Sequence, residues 1–275
     1  MGELVEGDDG MFAEDVGGWT KEKHNYLSRY VDISRGVRAM YIGPNKAGAT
    51  YIDPFCGPGR CRVRETGEFI DGGAVVAWKK SVAGKAPFSQ MFVGDLDEAR
   101  LGLCVTRLEK LGAKVTAMPG PALATVPALC KGLSRHQLHF AFVDPYNLET
   151  LDFSLIEHLS RFQRMDMLVH VSEMDLQRNF DRYVSAADSA LDRFYPGWRT
   201  EVNLQQSLPS ARRAIIEGWR NKVATVDNIP SPQMKRLTGG TNQRLYWLLL
   251  LAKHARAHEF WEVAANSERQ GELGL

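Results

Sequence analysis

Long apolar runs, paired cysteines and an excess of one charge are all missing from this chain of 275 residues. No stretch of about 18 apolar residues exists, so hydropathy offers no spanning helix. The first ten residues, MGELVEGDDG, are acidic where a secretory signal is basic. No membrane partner is therefore expected, and a cytoplasmic location is. Thirty-four basic residues against 33 acidic ones leave a net charge of +1. That removes a bulk electrostatic drive toward nucleic acid and leaves open a local basic face. The four cysteines, Cys56, Cys61, Cys104 and Cys130, form no C-x-x-C pair, and no metal is assigned. They read as reduced packing thiols, with the role of Cys56 and Cys61 beside a glycine turn left open. Internal repeats and low-complexity tracts are absent.

What is present is ordinary globular composition, 44% hydrophobic and 24% charged. The length suits one α/β domain with appendages, or two small domains. The informative stretch is Tyr51–Arg60, YIDPFCGPGR. It reads as a short buried strand ending at Asp53, then a tight turn through Phe55, Gly57 and Gly59. Glycines let the main chain lie against a bound molecule, and a carboxylate at a strand's end can accept hydrogen bonds from one. In open α/β sheets such a site lies beyond the carboxyl ends of the strands. Only G-x-G stands here, so the third glycine of a dinucleotide fingerprint is lacking, which disfavours a nucleotide-binding oxidoreductase.

Along the chain, residues 1–18 carry five glycines and several acids and read as a mobile leader. From Trp19 to about Met40 the apolar spacing predicts an amphipathic helix, with Lys23 and His24 in its first turns. Residues 60–73 alternate Arg60, Arg62 and Arg64. They read as a solvated charged loop, or as an extended segment at the mouth of a pocket. A helix over 73–83 and a strand over 89–93 follow, the strand leading to Asp95. An acid there accepts hydrogen bonds from ribose hydroxyls in nucleoside-binding folds. It lies roughly forty residues beyond Asp53, where the fingerprint expects about twenty. Asp97 reads as the cap of a helix over 98–111.

After a strand over 113–118 and a weak helix over 121–131, the apolar run His139–Val143 reads as a central buried strand. It ends in Asp144-Pro145-Tyr146-Asn147. An acid or a freed carbonyl can accept from an exocyclic amine, and Tyr146 offers a face for a flat base. A plain strand-end turn, with Asp144 capping the next helix, is the alternative. A helix over 150–162 and a strand over 166–171 complete an alternation that implies a doubly wound, parallel α/β sheet. Residues 174–225 read as a helical insert, with Gln177, Arg178 and Asn179 either lining the pocket or forming a solvated face. Two strands over 231–237 and 244–251 and a closing helix over 255–265 end the domain, taken as 19–265 with a tail at 266–275.

The DPFCGPG loop resembles the first motif of S-adenosylmethionine-dependent methyltransferases, in the form found in enzymes that methylate exocyclic amines of nucleobases. The ordered set W-x-x-x-K-H, YIDPFCGPG, VGDLDEA, FVDPYN, QRNF and LYWLLLLAKHARAHEFW resembles the three-Cys-motif partner proteins. The resemblance implies a Rossmann-like class I methyltransferase fold with a mostly parallel seven-stranded sheet, an antiparallel last strand and a helical insert. It implies S-adenosylmethionine as cofactor, held by Asp53, Phe55, Gly57, Gly59 and Asp95. It implies Asp144, Pro145 and Tyr146 as catalytic, with Lys23, His24 and Arg178 at the pocket, and Asn147, which follows them in the DPYN turn, is expected to line it too. Pro54, Cys56 and Asn147 depart from the family's commoner small residues. The functional expectation is methyl transfer to a nitrogen nucleophile, in a nucleobase or a small-molecule amine. The competing expectation is a non-catalytic partner of a three-cysteine, iron–sulfur type protein.

Overall fold

The computed structural model describes residues 2–239 and 244–266. The chain opens with β1 (Leu4–Glu6) and β2 (Phe12–Val16), followed by α1 (Trp19–Ile33) and α2 (Arg35–Ala39). Then come β3 (Ala49–Asp53), β4 (Arg60–Val63), β5 (Phe69–Asp71), α3 (Gly73–Ala83) and β6 (Gln90–Asp95). The α/β alternation continues through α4 (Glu98–Lys110), β7 (Val115–Pro119), α5 (Ala122–Gly132) and β8 (Leu138–Val143). After α6 (Phe153–Ser160) and β9 (Met165–Ser172) the insert supplies α7 (Glu173–Ser185), α8 (Ala190–Phe194), α9 (Trp198–Glu201) and α10 (Leu208–Ala224). The chain closes on β10 (Ile229–Thr238), β11 (Arg244–Ala252) and α11 (Ala255–Asn266).

Seven strands form one sheet in the order β7-β6-β3-β8-β9-β11-β10. The pairs among β7, β6, β3, β8 and β9 are parallel, while β11 runs antiparallel to both β9 and β10. This is the Rossmann-like class I methyltransferase fold, with its antiparallel last strand. The chain builds outward from β3 to one edge, then crosses back to β8. The switch in direction between β3 and β8 is where such sheets bind ligands. β3 is buried at every position, which its ATYID sequence accommodates because both faces are covered. One face packs against α1, α3, α4 and α11 through Leu27, Trp78, Leu101 and Trp261. The other packs against α5, α6 and the insert through Val126, Ile156, Leu176 and Trp219. Within the insert, Phe194 and Trp219 stack with ring centroids 5.1 Å apart. No described helix is long and apolar enough to cross a membrane.

Three expectations are corrected. Residues 4–16 are not a mobile leader: β1 and β2 join β4 and β5 in a second, four-stranded sheet, with β2 parallel to β4. Glycines in the leader suggested mobility, but Gly7 and Gly10 serve the turn between β1 and β2, and distant residues hold the strands. The Arg107 guanidinium pairs with both Asp9 oxygens (2.7 and 2.8 Å) and also donates to the Pro58 carbonyl at 2.6 Å. Nor are residues 60–73 a solvated loop, since Arg60 pairs with Asp8 and Asp71, and Arg62 and Arg64 both pair with Asp15. The helix expected from Trp19 to Met40 is interrupted at Ser34, whose hydroxyl donates back to the Tyr30 carbonyl at 2.8 Å beside the retained Ser34 N–H bond at 3.1 Å. The expected tail lies outside the described residues except for Asn266, in the last turn of α11.

The Arg107 staple makes a direct prediction. Arg107→Ala removes charge-assisted hydrogen bonds worth roughly 2 kcal/mol to the β1–β2 hairpin. Amide exchange over residues 4–16 is expected to accelerate about 30-fold while exchange in β3 and β8 stays unchanged. Unaltered hairpin exchange in the variant would mean that something else pins these strands.

Candidate functional site

A cavity of about 960 Å³ opens beyond the carboxyl ends of β3, β6 and β8. The residues assigned to cofactor, catalysis and pocket line it: Lys23, His24, Asp53, Phe55, Gly57, Gly59, Asp95, Asp144, Pro145, Tyr146, Asn147 and Arg178, whereas Gln177 and Asn179 do not. Convergence from five separate segments is what the topology supplies, because the loops after parallel strands all emerge on one side.

The glycine turn is built differently from its expected role. Asp53 is 1% exposed. Its Oδ1 accepts from the Phe55 backbone N–H at 3.1 Å and its Oδ2 from the Tyr51 hydroxyl at 3.1 Å, so the acid shapes the turn from within. Gly57 and Gly59 have φ of +56° and +78°, a region that favours glycine. A Cβ at Gly59 would meet Val75 and Cys104 at 3.2–3.3 Å, and one at Gly57 would meet Glu14 at 3.3 Å. These glycines therefore let the turn nest against the protein, which aims its remaining backbone face at the cavity. Asp95 locks the same turn from β6. Its Oδ2 accepts from the Gly57 N–H at 3.0 Å and its Oδ1 from the Asp97 N–H at 2.9 Å. Asp97 caps α4, as its position suggested.

At the β8 end, Asp144 does not cap a helix. Its Oδ2 lies 2.5 Å from Lys23 Nζ on α1, and its Oδ1 lies 3.0 Å from His170 Nδ1 on β9, off the line of a good hydrogen bond. Burial alone would push this carboxyl up, but Lys23 and then His170 outweigh it and hold Asp144 well below the usual carboxylate range. Burial pushes His170 down, with Asp144 opposing. His24 falls to about 4, through burial and then the Lys23 charge, so it is neutral near pH 7. Its buried Nδ1 has no hydrogen-bond partner among the described residues. Tyr146 is 65% exposed, a large aromatic face at the cavity rim. Asn147 also lines the cavity, but its Oδ1 accepts from the Thr150 N–H and caps a short 3-10 turn over Leu148–Thr150.

Several cavity residues escaped the sequence reading. His170 and Tyr246 lie against each other with centroids 4.1 Å apart and planes tilted by 36°, and Trp19 flanks Tyr246 at 6.1 Å, making an aromatic wall beside Asp144. His170 was the one detectable signal, an ionisable side chain inside the apolar run MDMLVHVS. Glu14, on β2 of the second sheet that had read as a leader, and Arg100, on α4, close the opposite end at 2.9 Å from each other. Asp175 on α7 bonds the Leu148 N–H at 3.0 Å and the Tyr183 hydroxyl at 2.8 Å, tying the DPYN turn to the insert. Cys56, Cys61 and Cys104 are buried. Burial pushes the Cys56 thiol up and carries Cys61 to about 12, which leaves both uncharged packing groups at neutral pH.

Burial raises Asp53 to about 7, against the lowering effect of the Phe55 N–H. A carboxyl that ionises near pH 4 when unfolded therefore destabilises the folded state progressively from pH 4 to about 7. A shift of roughly three units corresponds to on the order of 4 kcal/mol. Asp53→Asn, which cannot ionise, is expected to gain stability relative to the parent chain across pH 4–8, read from denaturant midpoints. A pH-independent difference would show that folding leaves the ionisation of Asp53 unshifted.

No family model and no curated protein matches the chain. Among solved structures it is similar to the cofactor-bound Rv0187 protein of MTB, at 13% identity and TM-score 0.44, over 85% of this chain and 80% of that one. It is similar to TrmK of M. capricolum in complex with S-adenosyl-homocysteine, at 9% identity and TM-score 0.39, over 80% and 67% of the two chains. A Listeria monocytogenes protein designated a class I S-adenosylmethionine-dependent methyltransferase gives 9% identity and TM-score 0.46, over 92% and 70%. Likenesses this remote add nothing to what strand order already establishes: the chain has the class I methyltransferase fold.

Proposed function

We propose that the protein is an S-adenosylmethionine-dependent methyltransferase acting on a nitrogen nucleophile carried by a flat, aromatic group. The observation behind this reading is that two acids at the ends of different strands, Asp95 and Asp144, face one cavity from opposite sides of the switch point. S-adenosylmethionine supplies an electrophilic methyl group when bound. The cavity volume falls within the range of cofactor sites, about 300–1,000 Å³. The turn at Gly57–Gly59 and Asp95, whose carboxylate keeps unused lone pairs beyond its two N–H contacts, are assigned to the cofactor. Asp144 and the Pro145 carbonyl are assigned to the amine N–H, and Tyr146 to the face of the ring that bears it. Methyl transfer relies mainly on positioning, so a rigid acceptor turn matters more than a strong base. Asp175 provides that rigidity from the insert. The order of motifs also favours kinship with the three-Cys-motif partner proteins.

A second reading has one observation in its favour. Both Asp144 oxygens already face cations or a ring nitrogen, and an acceptor amine must share them with Lys23 and His170. A non-catalytic partner that retains the fold, working with a three-cysteine protein, would have no need of a free acceptor point. Purification from native cells separates the two. A stoichiometric companion without methylated product favours the partner role.

Calorimetry with the purified protein is expected to give micromolar S-adenosylmethionine binding, lost in Asp95→Ala and weakened but measurable in Asp95→Asn. Wild-type protein that binds no cofactor sinks the enzymatic reading. With a labelled methyl donor and pooled nucleic-acid and small-amine acceptors, Asp144→Ala is expected to lower turnover on the order of 100-fold with cofactor affinity retained. Tyr146→Ala, at an exposed position, is expected to raise KM roughly tenfold by loss of stacking. Equal loss of cofactor binding in the Asp144 and Tyr146 variants would move both residues out of the acceptor role.

A further inference from the structure

A second cavity, of about 900 Å³, runs between α7, α10 and the β10–β11 pair, and it shares Met174 and Arg178 with the first. Its lining is strongly basic for a chain of net charge +1: Arg178, Arg212, Arg213, Arg220 and Arg236 against Glu173 and Glu217. The arginines around the cofactor end of the molecule are spoken for. Arg60, Arg62, Arg64, Arg100 and Arg107 each lie within 4.0 Å of a carboxylate. In the second groove only Arg236 has an ion-pair contact among the described residues, to Glu173 at 3.2 Å. Arg220 donates to the Ser231 carbonyl at 3.1 Å and keeps a buried Nε with no hydrogen-bond partner among the described residues. Unneutralised guanidiniums concentrated in one concave strip attract an extended anion.

We propose that this groove binds the phosphodiester backbone of a single-stranded polynucleotide and leads one of its bases to Tyr146. Arg212 and Arg220 are eight residues apart on α10, about 12 Å along the helix axis. That length spans about four phosphates at the spacing of a stacked strand. Arg178 sits at the junction, so a strand lying in the groove enters the first cavity beside the aromatic wall of Tyr146, Tyr246 and Trp19. Stacking faces adjoining a basic track are how single strands are held without sequence-specific contacts. An acidic peptide would engage the arginines but would leave the exposed Tyr146 ring without a partner. A duplex would have to extrude its base to reach Asp144. The proposal rests on the methyltransferase reading for what happens to the base, while the groove's charge stands independently of it.

The test uses fluorescein-labelled 20-nucleotide RNA and DNA single strands of mixed sequence, the matching blunt duplex, and a polyglutamate peptide. Anisotropy is expected to show single strands bound, with affinity falling as salt rises at a log–log slope of about −3, from four or five phosphate contacts. The triple variant Arg212→Ala, Arg213→Ala, Arg220→Ala is expected to bind at least about tenfold more weakly, with the slope reduced by about 2. Its calorimetric affinity for S-adenosylmethionine should match the parent chain, which also shows that it is folded. Arg213→Glu alone, at an exposed site, is expected to weaken binding in the same direction if the triple variant does not fold. Preference between the RNA and DNA arms identifies the polymer. Single strands left unbound, a variant that binds as well as the parent, or tighter binding of polyglutamate or duplex each overturns the proposal. Strand binding without any cofactor binding would retain the groove and remove the enzymatic reading, and the converse result would do the opposite.

Discussion

The reversal of strand order between β3 and β8 is the constraint from which the rest of the molecule follows. Two strands that are neighbours in the sheet send their following chains to opposite sides, so their carboxyl ends part and leave a crevice. The buried pair Lys23–Asp144 crosses this crevice and joins α1 to the tip of β8, residues 121 apart in sequence. A charge pair removed from water gains little by itself, but either partner left alone would be costly. With α1 packed against the sheet through Leu27 and Tyr30, Lys23 and Asp144 meet in a buried pair. The pair thus fixes the position of the DPYN turn relative to the glycine turn.

Around that crevice the molecule divides its polar work between two additions to the common fold. The four-stranded sheet of β1, β2, β4 and β5 closes the glycine-turn end, tied down by a lattice of arginine–carboxylate pairs in which Arg107 reaches both the hairpin and the Pro58 carbonyl. The insert of α7 to α10 forms the other end, and Asp175 welds it to the DPYN turn. One addition has its charges satisfied internally and behaves as a wall. The other carries the groove in which Arg178, Arg212, Arg213 and Arg220 have no ion-pair partner among the described residues.

The glycine turn illustrates how a correct location can come with a different physical reason. Asp53, Gly57 and Gly59 do stand at the cavity, yet the acid faces inward and the missing Cβ atoms make room for Val75, Cys104 and Glu14. Glycine at such positions is required by positive φ and by packing, and the ligand-facing backbone is a consequence of that packing. Asn147 is a similar case: it borders the cavity, but its amide oxygen is consumed by Thr150.

Local pattern was enough to read the alternation of strands and helices, the apolar β8, the caps at Asp97 and the sites of Asp95, Asp144 and Tyr146. Each of these rests on periodicity or on a short motif whose residues act on their immediate neighbours. Pattern could not read what depends on contacts across long separations. The ordered second sheet is one example, because Asp9 meets Arg107 and Asp15 meets Arg62 only after the chain has folded. The Lys23–Asp144–His170 cluster and the arginine groove are others, assembled from three or more segments by the order of strands in the sheet. Short-range rules specify which residues lie on a strand tip, whereas tertiary packing decides which of those tips share one cavity and which charges remain unpaired beside it.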